Sequence, residues 1–330
     1  MSVKYIPKKY ESTYDINSIP RGLTVMHNDL KDTIKTFTTE FYNRNLDVTL
    51  YVTSELIISG CFDKIYNHLV HYYFNDVNLA NLQFLPFLSQ FNKYYQRYDY
   101  KIKKSHPLLA VNDQVIRNFA FFAVSILSLS KNNKLIKLPK IEIIDLDLQN
   151  KKKQLVSKNL TLVNMFLKED DSKHIIVPLS EICNYLYDTT LTSREQMCVY
   201  WYSWLLSYEK TYHNSNMIVA TRLIDGIDVK YTRDFIWIIW TIIKYFSNKH
   251  ILPYINYLYD IFITNYSRSF KRSKANIIVM AFMLVINPFP KITYPITPMD
   301  DKIYCTGVKN SLKVNLYFLK IFQEALTKNI

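Results

Sequence analysis

The sequence predicts an all-α protein made of two helical domains joined by a short extended segment. Apolar residues recur at spacings of three and four along most of the 330-residue chain, which is the period of a helix with one buried face. Only four glycines occur, and this scarcity disfavours a loop-rich β fold, whose turns need positive φ angles. The hydrophobic content of 49% provides a sizeable core, which excludes a wholly disordered chain.

The first helical domain is predicted over residues 23–140, after an irregular arm at residues 1–22. Its first helix is marked by four apolar residues on one face, Leu30, Ile34, Phe37 and Phe41. Further helices are predicted over residues 46–58, 62–74, 79–91 and 112–128. Ser59-Gly60 is a stop signal for the second of these helices. The last one is apolar nearly all round, so we expect it at the centre of the domain.

An extended linker is predicted over residues 141–174. The run LIKLPKIEIIDLDL at 135–148 partly alternates apolar and charged residues, as strands do. Pro139 lacks a backbone donor, so this run is predicted to be an edge strand or an extended connection.

The second helical domain is predicted over residues 175–330 and carries all four tryptophans. Ser193-Arg-Glu-Gln196 matches a capping box, which predicts a long helix reaching about Tyr212. The pairs Trp201/Trp204 and Trp237/Trp240 each lie on one helix face, which predicts that the two helices pack through them. The other helices are predicted over residues 178–186, 253–266, 275–286 and 311–326.

The composition excludes several classes of function. Four glycines cannot build a Walker A loop, a dinucleotide fingerprint or the strained serine elbow of hydrolases, so we expect no enzyme and no cofactor. The four cysteines form no Cys-x-x-Cys pair, which indicates buried thiols in a reducing compartment. The polar N-terminus predicts no secretory leader, and the apolar runs are shorter than the ~20 residues that span a bilayer. We expect an intracellular protein, cytoplasmic or nuclear, without a membrane partner.

Two clusters of metal-binding residue types occur, and neither is predicted to be a site. Asp145 and Asp147 would share one face of a strand, but the glycine-serine helix start of nucleotidyltransferases is missing. His68 and His71 lie three apart on a predicted helix near Asp76, without a third ligand of suitable spacing.

The charge balance indicates a polyanionic partner. Lys and Arg number 41 against 28 Asp and Glu, a net charge of +13, which favours nucleic acid through the summed surface potential. A second interpretation is that lysine, like the abundant Ile, Asn and Tyr, reflects an AT-rich genome.

Two segments interleave aromatic rings with cations, a pattern typical of nucleic-acid binding. Cations neutralise phosphates, and rings stack on unpaired bases with about 1–3 kcal/mol each. The candidate residues of the first segment are Tyr94, Arg97, Tyr98, Lys101, Lys103 and Lys104. Those of the second segment are Arg268, Phe270, Lys271, Arg272 and Lys274. The alternative is that both are loops between helices, with rings packed inward and lysines keeping the surface polar.

The stretch NLDVTLYVTSELIISGCFDKIYNHLVHYYFNDVNLAN at 45–81 carries a family resemblance. It resembles the C-terminal helical region of the MgsA/RarA family of clamp-loader-like AAA+ ATPases. Phe74-Asn-Asp-Val-Asn-Leu-Ala80 stands where that family has Ser-Glu-Asp-Ile-Gly-Leu-Ala, and residues 112–133 resemble its next core helix. Asn78 replaces the family glycine, and asparagine tolerates positive φ, so we expect the turn to survive.

The resemblance implies a collar-like, oligomerising first domain in a DNA-associated protein. It covers about residues 45–133, and no GxxxxGK[ST] motif accompanies it, so ATP hydrolysis would be lost or supplied by a partner. The second half, with its Trp-rich helices, resembles uncharacterised proteins of large cytoplasmic DNA viruses. The sequence therefore predicts a non-catalytic accessory or scaffold protein of DNA replication, recombination or repair, with DNA and protein or homo-oligomer partners. The alternative is a structural or assembly protein, such as a virion component.

Overall fold

A computed structural model describes residues 19–96, 107–157, 160–212, 217 and 219–287, with six single positions between 309 and 324. Every regular element in these ranges is helical, which confirms the all-α prediction. The chain divides into two compact units, Met1–Leu82 with Gln90–Asn133 and Thr293–Ile330, and Gln83–Ser89 with Lys134–Ile292. The predicted arm up to residue 18 and most of the predicted helix at 311–326 lie outside the described residues. No helix of the described part combines the length and apolarity needed to cross a bilayer.

The first part of the chain forms helices close to the predicted ones. They are α1 (Leu30–Tyr42), α2 (Leu46–Ile58), α3 (Phe62–Tyr72), α4 (Phe84–Tyr95), α5 (Pro107–Asn112) and α6 (Gln114–Leu129). Helix α2 has the predicted bounds and ends before Gly60, whose φ is +73°. Helix α4 begins five residues later than expected, because a π-helical turn (Tyr73–Val77) and a 3₁₀ turn (Asn78–Asn81) follow α3. Helix α5 was not predicted.

Helix α6 is the central element of the first unit. It packs on α1, α2 and α3 and buries eleven of its residues, which confirms the position expected from its apolar sequence. Asp113 caps its N-terminus by accepting hydrogen bonds from the backbone N–H groups of Val115 and Ile116. Phe119 stacks on Phe91 of α4 with ring centroids 3.5 Å apart.

The turn at Asn78 has a backbone conformation that favours glycine. Its φ is +36° and its ψ is −113°, and the residue is fully buried. The Asn78 amide donates to the carbonyl of Asn133 at 2.7 Å, and the Asn133 amide donates back to Asn78 Oδ1 at 2.6 Å. The backbone N–H of Leu79 also donates to Asn78 Oδ1. The expected positive φ is confirmed, and these bonds offset its strain. The other described non-glycine residues with positive φ are His27, Arg44, Ser193 and Asn265.

Residues 141–174 differ from the extended linker that the sequence predicts. The described part holds a 3₁₀ turn (Ile143–Leu146) and the short helices α7 (Leu148–Lys151) and α8 (Thr161–Asn164). The irregular run before them is fixed to the core, since Ser203 Oγ donates to the carbonyl of Pro139 at 2.6 Å. Trp204 Nε1 donates to the carbonyl of Asp145 at 2.8 Å in the same way. Tertiary hydrogen bonds thus replace the strand pairing that alternation suggests.

The second unit is a bundle around one buried helix. Its longer helices are α9 (Ile176–Tyr187), α10 (Arg194–Thr211), α11 (Ile236–Phe246) and α12 (Leu252–Ile263). They are followed by α13 (Phe270–Ser273) and by α14 (Ala275–Ile286), which has the predicted bounds. Helix α14 packs against α9, α10, α11 and α12 and buries eight residues. Cys183 and Cys198 are buried free thiols, as predicted, whereas Cys61 is free and half-buried, and Cys305 lies outside the described residues.

The tryptophan helices do not form the direct pair that the sequence predicts. Helix α10 packs mainly on α9 and α14, and helix α11 packs on α9, α12 and α14. All four indole rings are buried, but Trp201 packs near Trp204, whereas Trp240 contacts Tyr259 and Phe262 of α12. The spacing of three identified the buried faces correctly, and it carried no information about the partner helix.

Helix α10 starts where the sequence predicts, but the predicted capping hydrogen bond of Ser193 does not form. Ser193 has left-handed φ and ψ values of 53° and 34°, and its side chain makes no capping hydrogen bond. Arg194 instead donates to the carbonyls of Tyr185 and Leu186 at 2.7 and 2.8 Å. These are among the last carbonyls of α9, so one arginine fixes the connection between the two helices.

Candidate nucleic-acid interface

Only Tyr94 of the first basic-aromatic segment lies within the described residues. Its hydroxyl donates to Asp113 Oδ2 at 2.5 Å, so Tyr94 is joined to the residue that caps α6. The other five candidates, Arg97, Tyr98, Lys101, Lys103 and Lys104, lie outside the described residues, and their role stays a prediction.

The second segment connects α12 to α14 and lines a pocket in the second unit. The cavity has a volume of about 530 Å³. Its lining residues come from α10 and from the segment itself, and they are Leu206, Glu209, Lys210, Arg268, Ser269, Lys271 and Arg272. Three residues of the predicted site thus meet around one cavity, together with two charged residues of α10 that are far away in sequence.

Lys271 is the buried member of this group. Its side chain is 1% exposed, and its Nζ lies 2.5 Å from Glu209 Oε1 and 2.9 Å from Asp234 Oδ2. The ammonium also lies 4.4 Å from the centre of the Phe235 ring. Two carboxylates thus surround one cation, so Lys271 is neutralised inside the protein and is not available to a phosphate in this conformation. This corrects the prediction that Lys271 is one of the phosphate-binding residues.

Neutral tyrosines complete the hydrogen bonding around this ion cluster. Tyr266 donates its hydroxyl to Asp234 Oδ2, and Tyr202 donates to the carbonyl of Lys271, both at 2.9 Å. Burial raises the pKa of Tyr202 and of Tyr266 well above the ordinary value, so both keep their protons near neutral pH. Burial also raises the pKa of Glu209, against the opposing charges of Lys271 and Arg268. We call Glu209, Asp234 and Lys271 the ion triad.

Lys274 and Phe270 are also engaged within the protein. Lys274 Nζ donates to the carbonyls of Ile261, Phe262 and Thr264 at 3.3, 3.0 and 2.6 Å, and these carbonyls lie at the end of α12. Burial lowers the pKa of Lys274 to about 8. Its Nζ lies 5.2 Å from the centre of the half-buried Phe270 ring. Lys274 therefore caps the C-terminal end of α12. The sequence pattern had predicted a cation that binds nucleic acid at the surface.

Arg268, Arg272 and Lys210 supply the accessible positive charge at the pocket. Arg272 and Lys210 are exposed, and Arg268 is half-buried. Arg272 uses one nitrogen to donate to the carbonyl of Leu206 at 3.2 Å, which ties it to α10 and leaves other donors of its guanidinium. Sequence reasoning missed Lys210 and Glu209, because a charged pair in the last turn of a helix is ordinary. Only the fold brings them beside residues 268–272.

The metal-type clusters considered in the sequence have structural roles. Asp145 pairs with Lys151 at 2.7 Å, and Asp147 accepts a hydrogen bond from the backbone of Gln149 at the start of α7. His68 packs edge-on against the rings of Phe37 and Phe41. Among the described residues, no three His, Cys, Asp or Glu side chains are grouped as a metal site would require.

The chain matches no protein-family model, no curated protein and no solved structure.

Proposed function

We propose that this protein is a non-catalytic accessory protein that binds the phosphate backbone of nucleic acid, with DNA as the expected partner. The observation that carries the proposal is the convergence of Arg268, Arg272 and Lys210 on one cavity. These cations come from two segments 58 or more positions apart, so their grouping is a product of the fold. The net charge of +13 adds a general attraction for polyanions.

Binding at this site is driven by charge. Each cation that neutralises a phosphate releases condensed counterions, so affinity falls as salt rises. Three cations predict a slope of log affinity against log salt of about −2 to −3. Lys271 and Lys274 hold the segment in place and contribute no direct phosphate contact. Any contribution from the first basic-aromatic segment would make the slope steeper.

The wider role that we propose is that of an oligomerising or scaffolding subunit in DNA replication, recombination or repair. It rests on the resemblance of residues 45–133 to the helical region of the MgsA/RarA family, which drives oligomerisation there. The positive φ of Asn78, at the position of the family glycine, supports an equivalent turn. ATP hydrolysis would then be lost or be supplied by a partner protein.

Fluorescence anisotropy with single-stranded, duplex and forked DNA tests the proposal, at about 50 and about 200 mM salt. We expect binding that weakens steeply with salt, and a loss of affinity in the Arg268→Gln/Arg272→Gln double variant. Arg233→Gln is the matched control, because Arg233 is also exposed and also donates to a single backbone carbonyl, that of Val219. Absence of binding at the lower salt concentration would refute the proposal.

A structural or assembly role is the second candidate, and an exposed apolar cluster favours it. Met165, Tyr187 and Tyr245 are 58%, 63% and 55% exposed. The Tyr245 ring contacts Phe166, and the Tyr187 ring contacts Phe246. Exposed apolar patches of this kind mark protein contacts. A chain that binds no DNA but changes its oligomeric state on Tyr187→Ser/Tyr245→Ser substitution would support this candidate.

A further inference from the structure

We infer that the pocket between α10 and residues 268–272 holds a phosphomonoester, either the terminal phosphate of a nucleic-acid strand or that of a free mononucleotide. The inference rests on the proposed function and names the chemical group that the same site takes. It differs from backbone binding in general, because an internal phosphodiester has no free end to place in a cavity.

The charge around the pocket matches a dianion. The ion triad combines two carboxylates with one ammonium, so it carries one net negative charge. Lys210, Arg268 and Arg272 supply three positive charges at the same cavity. The triad and these three cations together therefore carry two net positive charges. A phosphomonoester carries a charge of about −1.5 to −2 at neutral pH, whereas a phosphodiester carries a single negative charge.

The shape and lining of the pocket favour a phosphate over a base. Its volume of about 530 Å³ lies in the range of small-ligand pockets, so a strand end fits where a duplex backbone would lie across the opening. The lining residues are charged, except for Leu206 and Ser269, and none of them is aromatic. A base would have no ring to stack on, whereas the planar guanidinium groups of Arg268 and Arg272 suit the oxygens of a phosphate.

Arg272 is held in place before any ligand arrives. The backbone beside it is fixed at Lys271, whose carbonyl accepts from Tyr202 and whose ammonium lies within the ion triad. The side chain of Arg272 is further tied to the carbonyl of Leu206. Ordering this side chain therefore costs little when the ligand binds, and such preorganisation increases affinity.

The test compares oligonucleotides that differ only at one end. Single strands of one sequence, labelled at the 3′ end, carry either a 5′-phosphate or a 5′-hydroxyl, and a second set is labelled at the 5′ end with a 3′-phosphate or a 3′-hydroxyl. We expect a phosphorylated end to increase affinity about tenfold, because it makes a charge-assisted contact that the hydroxyl end lacks. Arg268→Gln and Lys210→Gln should bring this ratio towards one, whereas Arg233→Gln should leave it unchanged.

Competition experiments distinguish a strand end from a free mononucleotide as the source of the phosphate. Adenosine monophosphate should displace the phosphorylated strand, and adenosine should not. Displacement at concentrations comparable with the strand points to a free nucleotide, and displacement only at large excess points to a strand end. Lys210 lies at an exposed helix position, so Lys210→Gln is the variant least expected to disturb folding. Circular dichroism checks its fold.

Each remaining outcome has one meaning. Equal affinity for phosphorylated and hydroxyl ends, with salt-dependent DNA binding intact and no calorimetric binding of adenosine monophosphate, overturns this inference and leaves the proposed function standing. Calorimetric binding of adenosine monophosphate without any binding of DNA supports the pocket ligand and overturns the nucleic-acid function. Binding of neither overturns both.

Discussion

Replacing Lys271 with methionine tests the ion triad directly. Lys271→Met keeps the length of the side chain and removes the ammonium that lies 2.5 Å from Glu209 and 2.9 Å from Asp234. The buried carboxylate of Asp234 and the half-buried carboxylate of Glu209 then both lose this cation. Breaking a buried ion pair on one side costs about 3–5 kcal/mol, and we expect a loss of that size in the free energy of unfolding.

A second substitution should recover part of this loss. Glu209→Gln in the Lys271→Met background removes one of the two like charges while keeping the size of the side chain. The double variant should therefore be more stable than the sum of the single effects predicts, with a coupling energy of about 0.5–3 kcal/mol. Asp234 then keeps its hydrogen bonds from the Tyr266 hydroxyl and the Ile236 backbone N–H.

The pH dependence supplies an independent check. Burial raises the pKa of Glu209 in the folded protein, so the folded state holds its proton to a higher pH than the unfolded state does. Stability from this group is therefore present below the ordinary carboxyl value and falls as pH rises through the raised pKa. Lys271→Met removes the charge that lowers this pKa, so the variant should lose more stability on raising the pH than the wild type does. Glu209→Gln should abolish the difference.

Urea denaturation followed by tryptophan fluorescence, from about pH 5 to pH 8, measures all of these quantities. Lys249→Met is the control, since Lys249 is an exposed lysine of the same unit. A loss below about 1 kcal/mol for Lys271→Met, with a pH profile parallel to the wild type, would refute the account of the triad.

Three further predictions concern the helix connections and a half-buried histidine. Asn78→Gly relieves a positive-φ strain of about 1–3 kcal/mol while losing the bonds to Asn133, whereas Asn78→Ala loses the bonds and keeps the strain. In urea denaturation, Asn78→Gly should therefore be at least about 1 kcal/mol more stable than Asn78→Ala. Equal stability of the two variants would contradict the argument. Burial lowers the pKa of His68 from 6.5 to about 4, so the wild type should lose stability as pH falls through this range. His68→Phe should show a flatter profile there, and an unchanged profile would assign the dependence to other groups. Arg194→Gln should cost about 1–3 kcal/mol in thermal unfolding, because carbonyls at the end of α9 lose their charged donor, and a loss no larger than that of Arg233→Gln would refute this.

The helices could be predicted because their signals are local. The bounds 46–58 and 275–286 follow from an apolar run with a stop signal directly after it, Ser59-Gly60 in one case and Asn287-Pro288 in the other. The capping box at Ser193 located the start of α10, although Ser193 makes no capping hydrogen bond and Arg194 instead donates to carbonyls at the end of α9. A helix boundary predicted from the sequence can therefore be correct even where the predicted capping hydrogen bond does not form.

The candidate site could be predicted only in part, because the partners of its cations are distant in sequence. Lys271 pairs with Glu209 and Asp234, which lie 62 and 37 positions away. No pattern within residues 266–274 separates this buried lysine from the exposed Arg272. A cation-rich segment therefore predicts where charge gathers along the chain, and the fold decides which charges reach the solvent.

The five described non-glycine residues with positive φ have a consequence at the level of the gene. Every glycine codon begins with GG, whereas the asparagine codons begin with AA. Codons of the second kind are expected to be frequent in the AT-rich genome that the composition suggests. Two of the five turns, at Asn78 and Asn265, are made by the residue that follows glycine in tolerance of this conformation. In such a genome, nucleotide bias would favour asparagine over glycine at turns of this kind. Buried hydrogen bonds such as those around Asn78 allow the protein to keep a glycine-type turn without the glycine.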